Sequence, residues 1–389
     1  MKSSGSLNLV HLANFNSTNI GNGALIRGLE STIEEDFPCV VQWQREPWDN
    51  YTFGMVDFDE AFVDKVNASD GLIIGGAVTF NGRDYNNRTG TRFELPFELW
   101  SKITKPVIFY GLSYRHWPGQ VYHHLDKLKL TIEKILAAEN MILAVRNDGT
   151  KDWLREMTGI HSDAIVEIPD SAVYVSAQDG GEYPEILPNV KNIMVSFNDE
   201  DMAHRFDTRY SVAGVSNRSR DYVIDEFVIA IEKLAENFSA NFILCPHYFD
   251  DYRFISNFLE RINPRIAHQR MVSTGLGRVK DSEYFYGRYR NADVALSMRV
   301  HSMSPCIGLG TPMVAYTTQN RMTDFMQRIN LEEVVVDAFT PSSGTTLFER
   351  AKYALENAPV IRKRFLQVRA TMREDTRVFH HKLYELLTA

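Results

Sequence analysis

Short apolar runs recur along this chain, each closed by glycine or a charged residue. GLIIGGAV (Gly71–Val78), PVIFYGLS (Pro106–Ser113) and MILAVR (Met141–Arg146) are three of them. A run with no polar alternation has no solvent face, so it reads as a strand of a parallel sheet covered on both sides. Stretches with helical spacing lie between the runs, such as Leu125–Ala138. The alternation starts with a strand over Leu7–Leu12, a loop Asn19-Ile-Gly-Asn-Gly and a helix over Ala24–Glu34. Thr150 opens a helix to Met157 that Gly159 ends, and Ile165–Val175 closes this half.

The polar segment Ala177–Asn189, rich in Gly and Pro, reads as a linker. A second half then restarts with Asn192–Asn198, a helix over Tyr222–Phe238 and a strand in Phe242–Tyr248. A helix from Asp251, a short strand at Arg270–Thr274 and a helix at Asp281–Tyr289 follow. The strand–helix–strand unit Ala292–Tyr316, a short strand in Val334–Phe339 and long helices over Phe348–Leu387 complete it. At 389 residues the chain exceeds one typical core. The expected fold is α/β, with two Rossmann-like domains, 1–176 and 190–389, facing a cleft; the C-terminal helices have the length to cross back to the first.

Composition narrows the function. A net charge of −8 argues against nucleic acid as a partner, while leaving room for a local anion pocket. The three cysteines are far apart, so neither a disulfide framework nor a metal centre is expected, and no bound cofactor is called for. The first residues are too short an apolar run for a signal peptide, and no run reaches the roughly 20 residues of a membrane span. The expected location is cytoplasmic.

The candidate site residues sit where strands end. Arg299 and His301 close one apolar strand and should share its face. His301 reads as a general acid or as a capping or buried histidine. Arg146 ends another strand, with Thr150 starting a helix whose N-terminus favours an anion. Gly75 and Gly76 permit close approach of a ligand or of another backbone. Asn19 and Asn22 belong to a loop that can offer N–H groups to phosphate or sugar. The loop Asn81–Phe97 carries Tyr85, Arg83, Arg88 and Arg92 and reads chiefly as solvated. The pairs His123-His124 and His380-His381 read as surface residues.

Together these stretches resemble the polysaccharide pyruvyl transferase family. Asn19-Ile-Gly-Asn22 stands where the family has Asn-x-Gly-Asp, and Gly75-Gly76-Ala77 where it has three glycines. Val145-Arg146-Asn147-Asp148-Gly149-Thr150 stands where it has Val-Arg-Asp-x-x-Ser, with Asn147 in place of the Asp and Thr150 in place of the Ser. Arg299-Val-His301, Gly310-Thr-Pro312 and Tyr316 reproduce its Arg-x-His, Gly-x-Pro and strand-ending tyrosine. Arg321, before Phe325, takes the place of its lysine, two residues later than usual.

The resemblance implies a GT-B-like fold and a transferase. Its donor substrate would be phosphoenolpyruvate and its acceptor a sugar or glycan, which becomes a cyclic pyruvate ketal as phosphate leaves. Arg146, His301 and Arg321 would form the donor pocket. Asp170, after the strand Ile165–Pro169, reads either as a base toward an acceptor hydroxyl or as a strand-end carboxylate capping a turn. A lipid-linked acceptor would bring such an enzyme to the membrane surface without any spanning segment. The alternatives are a GT-B sugar-nucleotide enzyme, glycosyltransferase or epimerase, with Glu283 as the carboxylate for a ribose, or a non-catalytic glycan-binding relative.

Overall fold

The computed structural model describes residues 5–117, 119–178, 180–200 and 219–389. Two parallel sheets form, each flanked by helices. The first has the order β2-β1-β3-β5-β6-β7. Its strands are β1 (Ser6–Ala13), β2 (Val40–Pro47), β3 (Gly71–Gly75), β5 (Val107–Tyr114), β6 (Met141–Arg146) and β7 (Val166–Ile168), with the short β4 (Val78–Phe80) beside β5. The second sheet runs β10-β9-β8-β11-β12-β13. It comprises β8 (Lys191–Ser196), β9 (Ala240–Leu244), β10 (Met271–Ser273), β11 (Val294–Ser297), β12 (Met313–Thr317) and β13 (Val335–Asp337).

The apolar runs become the sheet centres. All residues of β3, β5, β9, β11 and β12 are buried. In each sheet the chain first builds outward on one side, then crosses back: β3 pairs with β1, and β11 with β8. These reversals leave crevices beyond the C-terminal strand ends, where open α/β sheets take ligands.

Glycines set how closely the two sheets meet. The 3-10 turn Ser171–Tyr174 is pressed between the helices Ile20–Asp36 and Val300–Leu309. A Cβ on Gly28 would lie 1.8 Å from the Ser171 carbonyl oxygen, and one on Gly308 1.8 Å from that of Val173. Either alanine would force the helices apart. The Ile20–Asp36 helix also begins earlier than the expected Ala24, with Asn19 as its cap, so Asn22 lies in its first turn.

The final helix, Ala358–Thr388, packs on both cores. Ile361, Phe365, Val368 and Met372 join the second-sheet core, whereas Phe379, Leu383 and Leu387 join a face of the first. His380 is buried in this seam rather than at the surface. Its ring contacts the Tyr110 hydroxyl at 2.8 Å and the Asp36 carboxylate at 2.6 Å. The neighbouring His381 is exposed, as expected of both. Helical geometry turns consecutive residues to different faces, so a His-His pair divides between core and solvent.

Candidate active site between the sheets

A 330 Å³ cavity opens where the strand ends of both sheets face each other. Asn14, Asn19 and Asn22 reach it from beyond β1, Arg115 from β5, Arg299 and His301 from β11, and Gln319 and Arg321 from β12. The segments after β2, β4, β8 and β9 supply Asp49, Asn81, Glu200 and His247. Of the residues expected from the sequence, Asn19, Asn22, Arg299, His301 and Arg321 line it, and Arg146 lies directly behind.

Arg146 is 1% exposed. A buried guanidinium is tolerable only with an anion close by, and Asp170 supplies it, with Nε–Oδ2 at 3.2 Å. Arg146 Nη1 also donates to His301 Nε2 at 3.2 Å. Arginine only donates, so this contact favours a lone pair on Nε2, while Asp170 Oδ2, 3.6 Å from the same nitrogen, favours a proton there. Burial pushes the His301 pKa below its usual value, with Arg146 and Arg321 adding to the effect and Asp170, 3.6 Å away, opposing it.

Asp170 has no opening onto this cavity and is 0% exposed. Burial disfavours its charge, but Arg146 and His301 overcome that and hold its pKa near 2. Its other oxygen accepts from Ala172 N at 2.8 Å. A sealed carboxylate with so low a pKa is a poor base, so the part expected of it toward an acceptor gives way to orienting Arg146 and His301. Asn147 accepts from Asp170 N at 2.9 Å, so this substitution in the motif supports the same turn.

His301 lies in the first turn of the helix Val300–Leu309, not on the strand, because β11 ends at Ser297. It therefore does not share a face with Arg299. Arg299 turns instead to Asp251, its Nε 3.1 Å from Oδ2, and to the Phe197 carbonyl. Gly21 gives the imidazole its seat: a Cβ there would stand 2.7 Å from His301 Nδ1. Arg321 Nη1 donates to the Tyr114 carbonyl at 2.7 Å and to Ser113 Oγ at 3.3 Å.

Gly75 and Gly76 line no part of this cavity. Packing demands them: a Cβ on Gly75 would meet His11 Nε2 at 2.5 Å, and one on Gly76, at φ +52°, would meet Leu25 at 2.9 Å. Glu283 does not line it either; its carboxylate accepts from Ser176 Oγ.

Two arginines on the wall were not among the expected site residues. Arg92, from the loop read as solvated, has its guanidinium over the Trp48 ring at 5.3 Å. It donates to Val78 O, Asn14 Oδ1 and Thr52 Oγ1. Arg115 pairs with Glu200. It directly follows β5, so the rule that picked Arg146, a charge at the end of an apolar strand, would have found it.

Several solved structures share this fold. The glycosyltransferase from Rickettsia africae is 12% identical, with a TM-score of 0.55 over 98% of this chain and 99% of its own. The apo structure of OtsA gives the same figures. A candidate UDP-N-acetylglucosamine 2-epimerase from Listeria monocytogenes reaches 0.52 at 10% identity, over 93% and 91%. At such identities the likeness carries the fold alone, which is GT-B-like. No curated protein matches the sequence. The sequence pattern of the polysaccharide pyruvyl transferase family, however, matches residues 19–320.

The chain belongs to the polysaccharide pyruvyl transferase family. Membership makes it a transferase and implies a sugar acceptor. The family match runs from the Asn19 cap, through Arg146, Asp170 and His301, to Asn320. Arg321 falls one residue beyond it. Among the described residues, no helix is long and apolar enough to cross a membrane, and no cluster of His, Cys, Asp and Glu is arranged to hold a metal.

Proposed function

We propose that this pyruvyl transferase moves the enolpyruvyl unit of phosphoenolpyruvate onto two hydroxyls of one sugar in a glycan, forming a cyclic ketal and releasing phosphate. The observation that carries the reading is the cationic cavity: His301 and Arg321 line it, with Arg146 behind His301. A small donor with both a phosphate and a carboxylate suits several fixed cations, and guanidinium groups bind either anion in a bidentate manner. The sequence units 1–176 and 190–389 would each supply one wall, with the last helix tying them together.

The residues present can carry the chemistry. In the free protein His301 is neutral. A bound anion offsets the nearby arginines and raises the imidazole pKa, so His301 takes up a proton on binding. It then protonates the donor methylene carbon, and the C=C pair becomes the new C–H bond. The cationic carbon left behind is attacked by one sugar hydroxyl, which loses its proton. Departure of phosphate with the C–O pair regenerates an oxocarbenium centre, and the second hydroxyl closes the ring. One proton is consumed, two are released, and the net proton leaves with phosphate. Asp170 holds Arg146 and His301 in register. Asp49 and Glu200, the carboxylates on the cavity wall, are placed to accept hydroxyl protons. Burial raises the Asp49 pKa, which favours that task.

The test is incubation with phosphoenolpyruvate and galactose-, mannose- or glucose-containing acceptors, followed by NMR of the product. A new ketal methyl resonance on an acceptor supports the reading. No product from any acceptor, together with no thermal shift from phosphoenolpyruvate and a clear shift from a nucleoside diphosphate, would contradict it and favour a sugar-nucleotide enzyme.

A further inference from the structure

A second and larger cavity, 720 Å³, adjoins the first and shares Arg115, Gln319 and Arg321 with it. Its size falls within the roughly 300–1,000 Å³ of small-ligand sites. Its walls are different in kind. Tyr114 and Trp153 line it as a stacked pair, with centroids 4.8 Å apart, and Trp117 joins them. Asp152, Glu156 and Asp324 supply carboxylates. Arg328 is paired with Asp152 and Glu167 and Arg115 with Glu200, while Arg321, at the junction of the two cavities, donates only to the neutral Tyr114 carbonyl and the Ser113 hydroxyl.

Two polar side chains here await a ligand. Gln319 is 7% exposed and lines both cavities, yet its side-chain amide has no hydrogen-bond partner among the described residues. Its amide therefore reaches the cavities with its hydrogen-bonding capacity open to a ligand or to solvent. Asp324 lies on the next helix, Asn320–Arg328, its Oδ2 resting over Gly149 where a Cβ would be 2.5 Å away. It forms neither an ion pair nor a side-chain hydrogen bond among the described residues. Burial raises its pKa to about 6, with Arg328 opposing and Asp148 and Asp152 adding.

We propose that this second cavity holds the body of the acceptor glycan as uncharged sugar rings. Gln319 and Asp324 bind the sugar hydroxyls, and the parts of Trp153 and Trp117 that reach the cavity wall border the rings. The reacting diol then passes Arg321 into the donor cavity. Carboxylates and aromatic rings suit polyols, whereas a uronate or diphosphate in the body of this cavity would meet Glu156 and Asp324, with Arg328 already paired to Asp152 and Glu167. This rests on the pyruvyl-transfer reading, which requires an acceptor but does not say where its body lies.

The cavity carries its own probe, because two tryptophans line it. Tryptophan emission of the full chain is titrated with galactosyl, mannosyl and glucosyl disaccharides and with a glucuronate-bearing disaccharide, each with and without phosphoenolpyruvate. Acceptor and donor KM values are then compared for wild type, Asp324→Asn and Gln319→Ala. At least one neutral disaccharide should shift the emission without competing with phosphoenolpyruvate, and the glucuronate should bind more weakly. Asp324→Asn should raise the acceptor KM about tenfold and leave the donor KM within about twofold, with Gln319→Ala acting in the same direction on the acceptor. Tighter binding of the glucuronate, or transfer whose acceptor KM is untouched by both variants, would overturn the proposal. Disaccharide binding that Asp324→Asn weakens, without any consumption of phosphoenolpyruvate, would keep the sugar site and overturn the reaction reading instead.

Discussion

The two cavities that meet at Arg321 are built on opposite electrostatic plans. The smaller one presents Arg92, Arg115, Arg299, His301 and Arg321 against Asp49 and Glu200. The larger one adds aromatic rings and carboxylates; it shares Arg115 and Arg321 with the smaller, and its own Arg328 is paired with Asp152 and Glu167. The smaller cavity also rests on charge buried within the protein. Arg146 and Asp170 are both at most 1% exposed and pair with each other. In the larger one Asp324 is only half-buried and contributes little to the fold. One region is therefore preorganised, with its charges fixed before a ligand arrives; the other is left to be completed by what it binds.

The contrast breaks first at Arg146. Arg146→Met leaves Asp170 buried without its cation, and unfolding free energy should drop by about 3–5 kcal/mol, read by urea titration. The same titration on Asp324→Asn should show a change of less than about 0.5 kcal/mol. Equal losses would mean that the two cavities are equally structural.

Gly21→Ala is the next largest. The added methyl would sit 2.7 Å from His301 Nδ1, so the imidazole must move. A misplacement of that order should cost about 100-fold in kcat, with acceptor-induced tryptophan emission unchanged. A variant with full kcat would show that the seat of His301 is not part of the catalytic geometry.

Arg321→Lys tests the junction. The charge remains but the guanidinium fork is lost, so donor KM should rise about tenfold while acceptor KM moves less. A larger effect on the acceptor would assign Arg321 to the second cavity.

The smallest effect is on pH dependence. Burial with Arg146 and Arg321 holds the His301 pKa below 6.5 in the free protein, and a bound anion raises it. Donor binding therefore takes up a proton. Affinity should be flat at pH below the free value, then fall by up to about tenfold per pH unit until the bound value is passed. His301→Gln removes this component and leaves only the donor's own titration. Calorimetry showing no proton uptake in wild type would contradict the protonation expected of His301.

Much of this was legible in the sequence because buried parallel strands leave an apolar signature. The runs at Gly71, Pro106 and Met141 fall on β3, β5 and β6. β2 was missed for the complementary reason: it is an edge strand with four of its eight residues exposed, so it reads as polar alternation rather than an apolar run. Arg146, Arg299 and His301 were legible because a charge closing an apolar strand has little choice but the crevice. Which of them meet was not legible, since that depends on where β11 stops and on the turn of the helix after it.

Gly75 and Gly76 were misread because a glycine needed by a ligand and one needed by a neighbouring helix look alike in sequence. Asp170 reads as a cleft carboxylate until the turn Ser171–Tyr174 seals it between two helices. Arg92 reads as solvated because its ring partner Trp48 is 44 residues away. Gln319 carried no sequence signal at all: an amide without a partner is a property of three-dimensional surroundings. Asp324 had none either, since its raised pKa comes from burial against Gly149 and from acids on another helix.

The central claim is that the cavity around His301 consumes phosphoenolpyruvate only when a sugar diol is present. The most direct measurement is phosphate release from phosphoenolpyruvate with and without each neutral disaccharide, in wild type and His301→Ala. The account predicts acceptor-dependent release in wild type and a loss of about 100-fold or more in the variant, with phosphoenolpyruvate still bound. Release that is independent of acceptor, or that survives His301→Ala, would contradict it.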